Sequence, residues 1–210
     1  MNREQGLQQI EATRIVAIVR GVEERHITAV AEALFQGGVR AMEVTLNTSG
    51  ALSMIESLQS SHGERMYIGA GTVLDIDDAK QAVSAGASFI VTPNTDEEVI
   101  SWCQEQQTPI FPGALSPTEI VKAWKAGATA VKLFPSASLG LSYIKELMGP
   151  FPHIPMMAVG GVKVENIRQF LDIGCYALGI GGSLINLKEI QAGNYHWITD
   201  KAVRLIAETK

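Results

Sequence analysis

One feature narrows the possible folds of this 210-residue chain more than any other: short apolar runs alternate with longer amphipathic stretches from end to end. Eight runs can be marked: Ile15–Val19, Val39–Leu46, Met66–Gly69, Phe89–Val91, Pro109–Phe111, Ala130–Phe134, Pro155–Val159 and Tyr176–Ile180. Most lack polar alternation, the pattern of parallel strands buried on both faces. Between them HITAVAEALFQ, DDAKQAVSA, TEIVKAWKA and VENIRQFLDI repeat apolar residues every three or four positions, with charges opposite, as surface helices do. QGGVRAMEV, SAGASFIVT, KAGATAVKLF and DIGCYALGI each close a helix at a glycine and enter a strand. Gly38, Gly86, Gly127 and Gly174 therefore sit where a helix C-terminus favours positive φ. Their spacing of roughly 40 to 50 residues corresponds to two βα units. An open doubly wound sheet also alternates strand and helix, but eight strand candidates favour a closed (β/α)8 TIM barrel. Such barrels usually need about 200 to 250 residues. No linker or break in composition divides the chain, so residues 1–210 are expected to form one domain.

Charge and cysteine usage exclude several classes of partner. The formal net charge of −5, without a dense Lys/Arg cluster, argues against a nucleic-acid surface. It leaves room for small anions, which a few placed cations and backbone N–H groups suffice to bind. Cys103 and Cys175 form no close pair, which points to a reducing compartment rather than a disulfide framework. The opening MNREQGLQQIEATR lacks the apolar core of a signal peptide, and no apolar run approaches the roughly 20 residues of a spanning helix. A cytoplasmic protein with no membrane partner is expected. His26, His62, His153 and His196 are scattered without metal-ligand spacing, so no metal or other cofactor is expected.

Barrel chemistry gathers at the C-terminal ends of the strands. Of nine lysines, only Lys132 lies inside an apolar run, Ala-Val-Lys-Leu-Phe. Strand alternation puts Val131 and Leu133 on one face and Lys132 on the other, inward face. Burying an ammonium is costly, and desolvation lowers its pKa towards the neutral amine that attacks a ketone. The competing reading is a structural lysine paired with a carboxylate. Glu43, in Ala-Met-Glu-Val-Thr-Leu, is the matching acid and is expected to face the interior with Thr45. It can be a salt-bridge partner or a proton shuttle; one charge of each sign at two inward positions favours catalysis. Arg20 closes the first strand and Asn47 follows the second, where a guanidinium and an amide can hold a carboxylate or hydroxyls. Thr72, in Gly-Ala-Gly-Thr, places a hydroxyl at a third strand end.

Glycines mark the last two strand ends. Gly160-Gly161 follow the seventh run, ahead of a helix expected near Val164, and Gly179-Ile180-Gly181-Gly182-Ser183 follow the eighth. Glycine lets backbone N–H groups approach an anion, helix N-termini favour negative charge, and these two loops are this fold's frequent phosphate site. Tight turns without a ligand are the alternative. No Gly-x-Ser-x-Gly elbow or cysteine nucleophile motif occurs, which leaves amine chemistry.

Together these segments resemble the class I 2-keto-3-deoxy-6-phosphogluconate (KDPG) and 2-keto-4-hydroxyglutarate (KHG) aldolase family, which includes the 2-keto-3-deoxy-6-phosphogalactonate aldolases. The resemblance rests on GGVRAMEVTL (37–46), GAGTVL (69–74), VTPN (91–94), VKLFPS (131–136), VGGV (159–162) and GGS (181–183), in order along nearly the whole chain. It implies a Schiff base on Lys132, proton transfer by Glu43, and a pyruvate carboxylate near Thr72. It also implies phosphate on Gly160, Gly161, Gly181, Gly182 and Ser183, pocket walls at Pro93 and Phe134, no cofactor, and a homotrimer. Asn47 departs from the arginine common at its position in phosphogluconate enzymes, and Val159 from a threonine. Both departures, with Ile-Val-Arg-Gly in the first strand, are closer to the phosphogalactonate branch, and Arg20 would supply the missing guanidinium. Cleavage of the phosphogluconate or hydroxyglutarate acid is the leading reading, the phosphogalactonate epimer the alternative. An isomerase or epimerase barrel, or a non-catalytic barrel binding a phosphorylated metabolite, is more remote, because neither needs a buried amine.

Overall fold

A computed structural model describes residues 1–210. It opens with helix α1 (Arg3–Thr13) and strand β1 (Ile15–Val19), followed by α2 (Ile27–Gln36), β2 (Ala41–Thr45), α3 (Ala51–His62), β3 (Tyr67–Gly71), α4 (Ile76–Ser84), β4 (Ile90–Val91) and α5 (Glu97–Glu105). Then come β5 (Ile110–Phe111), β6 (Gly113–Ala114), α6 (Pro117–Lys125), β7 (Val131–Leu133), α7 (Ser136–Met148), β8 (Met156–Val159), α8 (Ile167–Asp172), β9 (Ala177–Ile180), α9 (Leu187–Gln191) and α10 (His196–Ala207). Every pairing is parallel, in the order β5-β4-β3-β2-β1-β9-β8-β7-β6.

Nine segments make eight staves. The fifth expected strand is cut by Pro112, which has no N–H to donate to a ladder. Its first half, β5, pairs with β4, and its second half, β6, pairs with β7. The Thr129 N–H donates to the Ile110 carbonyl (2.9 Å) and the Lys132 N–H to the Pro112 carbonyl (2.8 Å). Both edges of the broken stave are thus occupied, and the sheet closes. The open doubly wound alternative is excluded. Gly38, Gly86, Gly127 and Gly174 take φ of +93°, +94°, +106° and +98°, as their helix-ending positions require.

Alternation along each strand divides the core in two. Outward residues such as Ala17, Met42, Val44, Ile68, Val131 and Leu133 join the helices in a cluster of 52 buried residues. Inward residues including Val16, Ala41, Tyr67, Phe89, Phe111, Ala130 and Met157 fill the barrel in a separate cluster of 11. Tyr67 stacks on Phe89 (4.9 Å between centroids), and Phe89 meets Phe111 edge-on (5.8 Å).

The base of the barrel is plugged by α1, a helix that the polar N-terminal sequence did not announce. Asn2 accepts from the Gln5 N–H while the Gln5 side chain accepts from the Asn2 N–H, a reciprocal cap. Ile10 is buried with the inner cluster, and Leu7 packs against it. Gly6 lies flat on the Tyr67 ring, where an added Cβ would come within 2.5 Å of Cζ. Gly6→Val is therefore expected to push α1 off the barrel base at a cost of about 1–3 kcal/mol, as overpacking typically does. Thermal unfolding of the variant should show a midpoint lowered by several degrees; an unchanged midpoint would mean that α1 is not seated there.

Candidate active site

Lys132 lies in β7 with both neighbours packed outward, so its side chain enters the barrel, where it is 6% exposed. Its Nζ lies 5.0 Å from the Phe134 ring centroid. Burial lowers its pKa; the Glu43 charge opposes that shift, and Arg20 adds to it. Glu43 enters from β2, on the opposite side of the ring of staves, and is 2% exposed. Burial pushes its carboxyl up to about 7, against the pull of Lys132 and Arg20. Its Oε2 has no hydrogen-bond partner, and no ion pair within 4.0 Å joins Glu43 to Lys132. The two groups influence each other's titration across a gap instead of closing on one another. A simple structural salt bridge does not describe them.

The gap belongs to a cavity of about 740 Å³, within the usual range of about 300–1,000 Å³ for small-molecule sites. Glycines keep it open. A Cβ on Gly71 would come within 2.6 Å of the Glu43 Cδ, so the end of β3 must be bare for the carboxylate to lie there. A Cβ on Gly179 would come within 2.7 Å of Val159 Cγ2, closing the floor. At the mouth, an Arg20 guanidinium N–H donates to Thr72 Oγ1 (3.4 Å), and Thr72 takes the uncommon left-handed φ of 57°. Ser136 braces the opposite rim: its hydroxyl donates to the Leu133 carbonyl (2.7 Å) and accepts the Val159 N–H (3.1 Å).

The cavity lining includes Arg20, Glu43, Thr72, Pro93, Lys132, Phe134, Val159, Gly160, Gly161, Gly181, Gly182 and Ser183, all expected from sequence. Asn47 is the exception. It is exposed, two residues beyond the end of β2, and does not line the cavity. The turn that follows β2, held by the Thr48 N–H donating to the Thr45 carbonyl (2.9 Å), carries it away.

The glycine loops also depart from the sequence expectation. The helix expected near Val164 begins only at Ile167, and α9 starts at Leu187, so no helix N-terminus directly follows either glycine pair. Gly160 and Gly161 instead adopt φ of +102° and +73°, and the Ser183 hydroxyl donates to the Val162 carbonyl (2.7 Å), tying the two loops together. The two loops are shaped by their own backbone conformation and by this cross-link.

Ile18, Lys163, Ile185 and Leu187 also line the cavity and were not singled out in the sequence. Ile18 was legible as inward by its alternation with Val16. Ile185 and Leu187 reach the cavity only because the segment after β9 folds back, which no local pattern signals. No three of the His, Cys, Asp and Glu side chains gather into a metal-ligating group, and no helix is long and apolar enough to cross a membrane.

Comparison with known proteins adds a lineage to this geometry. The family model for KDPG and KHG aldolase matches residues 7–201. The chain belongs to the KDPG and KHG aldolase family. It is 37% identical to the 2-dehydro-3-deoxy-6-phosphogalactonate aldolase of Escherichia coli K12 over 81% of this chain and 83% of that one. It is 32% identical to the 2-dehydro-3-deoxy-phosphogluconate aldolase of Haemophilus influenzae Rd, over 98% and 95%. Among solved structures it superposes on a Legionella pneumophila KDPG aldolase holding pyruvate as a covalent carbinolamine, with a TM-score of 0.89 and 28% identity over 96% and 98% of the two chains. The family's aldolases are carbon–carbon lyases, and the barrel described above is their common scaffold.

Proposed function

We propose that this family member is a class I aldolase. It cleaves 2-keto-3-deoxy-6-phosphogluconate to pyruvate and glyceraldehyde 3-phosphate, and 2-keto-4-hydroxyglutarate to pyruvate and glyoxylate. The observation that carries the reading is a buried amine, Lys132, facing an unpartnered carboxyl, Glu43, across an open cavity. Lys132 Nζ attacks the C2 ketone, and loss of water leaves a protonated imine that draws electrons from C3. Glu43 takes the C4 hydroxyl proton as the C3–C4 bond breaks, the aldehyde leaves, and the remaining enamine regains a proton at C3 from Glu43. Water then hydrolyses the imine and frees pyruvate. Arg20 and Thr72 receive the keto acid carboxylate, and Pro93, Phe134 and Val159 wall the pocket. The single domain, the cytoplasmic setting and the trimer implied by the family resemblance belong to the same proposal.

The galactonate epimer is the second reading. It is favoured by Val159 and Asn47, which stand where the phosphogluconate pattern has a threonine and an arginine. Pyruvate release from both epimeric phosphorylated acids and from 2-keto-4-hydroxyglutarate tests the assignment. The kcat/KM order ranks the three substrates, and no release from any of them refutes the aldolase reading.

The glycine loops are proposed to take the phosphate. A Cβ on Gly182 meets nothing within 4 Å, so a larger residue there enters the cavity without displacing the fold. Gly182→Val is expected to lower kcat/KM for the phosphorylated acid by about tenfold or more, since a lost hydrogen bond to a charged group is worth roughly 1.5–3 kcal/mol. Its effect on 2-keto-4-hydroxyglutarate should be much smaller. Equal losses on both substrates would move the phosphate elsewhere.

A further inference from the structure

Among the ionisable side chains that line the cavity, Arg20, Lys132 and Lys163 are basic, and only Glu43 is an acid. This local excess of positive charge sits in a chain whose formal net charge is −5, so it concentrates anions at one site against the overall field. A substrate with a carboxylate at one end and a phosphate at the other needs a counter-ion at each. Arg20 is committed to the first, because its guanidinium reaches across β2 to Thr72 at the end of β3. Lys132 must be uncharged to attack a ketone and faces Glu43 deep in the barrel. Lys163 remains.

We infer that Lys163 is the phosphate counter-ion of this enzyme and sets its preference for phosphorylated over unphosphorylated keto acids. The inference rests on the aldolase reading above and adds a residue that neither the strand ends nor the glycine pattern singled out. Lys163 follows the Gly160-Gly161 pair by two positions and lines the cavity with Gly181, Gly182 and Ser183. Its backbone is held in place. The Lys163 N–H donates to Asn166 Oδ1 (2.8 Å), the Asn166 amide donates to the Gly161 carbonyl (2.9 Å), and the Ser183 hydroxyl pins the preceding Val162 carbonyl (2.7 Å). No carboxylate lies within 4.0 Å of its ammonium, so no ion pair within the chain engages it. The side chain is exposed, so its charge costs no desolvation while it waits. Backbone N–H groups of the glycine loops supply directed donors, and Lys163 supplies the full charge that a phosphate dianion otherwise lacks there.

The test compares the wild type with Lys163→Met and Lys163→Arg. In Lys163→Met, the ratio of kcat/KM for 2-keto-3-deoxy-6-phosphogluconate to that for the same acid without its phosphate should fall about tenfold or more, the size expected for one lost charge-assisted contact. Lys163→Arg should recover most of that ratio, and rising ionic strength should narrow the gap between wild type and Lys163→Met. Inorganic phosphate, titrated by thermal shift, should stabilise the wild type and Lys163→Arg more than Lys163→Met. An unchanged ratio, or equal phosphate stabilisation of all three proteins, overturns the proposal. Failure of the underlying aldolase reading shows separately, as no pyruvate from wild type with any keto acid, and the phosphate titration then still decides the role of Lys163.

Discussion

Lys132→Ala is expected to abolish pyruvate release and, with it, covalent trapping: borohydride and pyruvate should tag Lys132 in the wild type and no lysine in the variant. The expectation follows from where the amine sits. It is 6% exposed, its flanking side chains anchor it from outside the barrel, and burial shifts its titration towards the uncharged form. Lysines elsewhere are on helices, loops or the terminus and are not desolvated in this way. Removing the nucleophile of a covalent mechanism has cost on the order of 10⁶ in kcat in a well-studied hydrolase, and a loss of at least about 10⁴ is expected here. The fold should survive, since truncating Lys132 takes a charge out of an apolar barrel and leaves the outer packing of Val131 and Leu133 intact. Peptide mass spectrometry after reduction reads the result. A wild-type adduct on any other lysine, or a variant that still releases pyruvate, would overturn the Schiff-base assignment.

Glu43→Gln should keep imine formation and lose turnover. The amide preserves shape but cannot take a proton, and general acid–base groups contribute typically about 10²–10⁴-fold. In the wild type the carboxyl titrates at about 7, so cleavage should accelerate as pH rises through that value and the basic form accumulates. That limb should be missing from the variant. Stability moves the opposite way. The folded carboxyl holds its proton up to about 7, whereas the unfolded one releases it at its ordinary 4.5. Between those values the folded state binds more protons, and Glu43 costs the fold increasing stability as pH rises. The melting temperature of Glu43→Gln relative to wild type should therefore be higher at pH 8 than at pH 4. A variant with normal turnover and the same pH limb would reduce Glu43 to a structural acid.

Local pattern was enough to announce the barrel and the two charged residues inside it. Eight apolar runs and four helix-ending glycines required closely spaced βα units, because strand and helix periodicities are written in the order of residues itself. The same alternation exposed Lys132 and Glu43: a charge inside an apolar run must point to the other face, and in a barrel that face is the interior. Other features depended on residues far apart in the chain. The proline break in the fifth stave is local, but only the pairing of β5 with β4 and of β6 with β7 shows that the ring closes around it. The polar α1 gains its apolar partners from strands spread along the whole chain, so its own pattern is weak. Asn47 follows a strand end just as Arg20 does, yet a turn of a few residues carries it out of the cavity, because loop direction depends on hydrogen bonds such as Thr48 to Thr45 and not on composition. Lys163 looked like any surface lysine until β8 and β9 brought both glycine loops beside it. Which side chains face inward is a property of the strand. Which loops meet over the barrel mouth is a property of closure, and only the folded chain contains it.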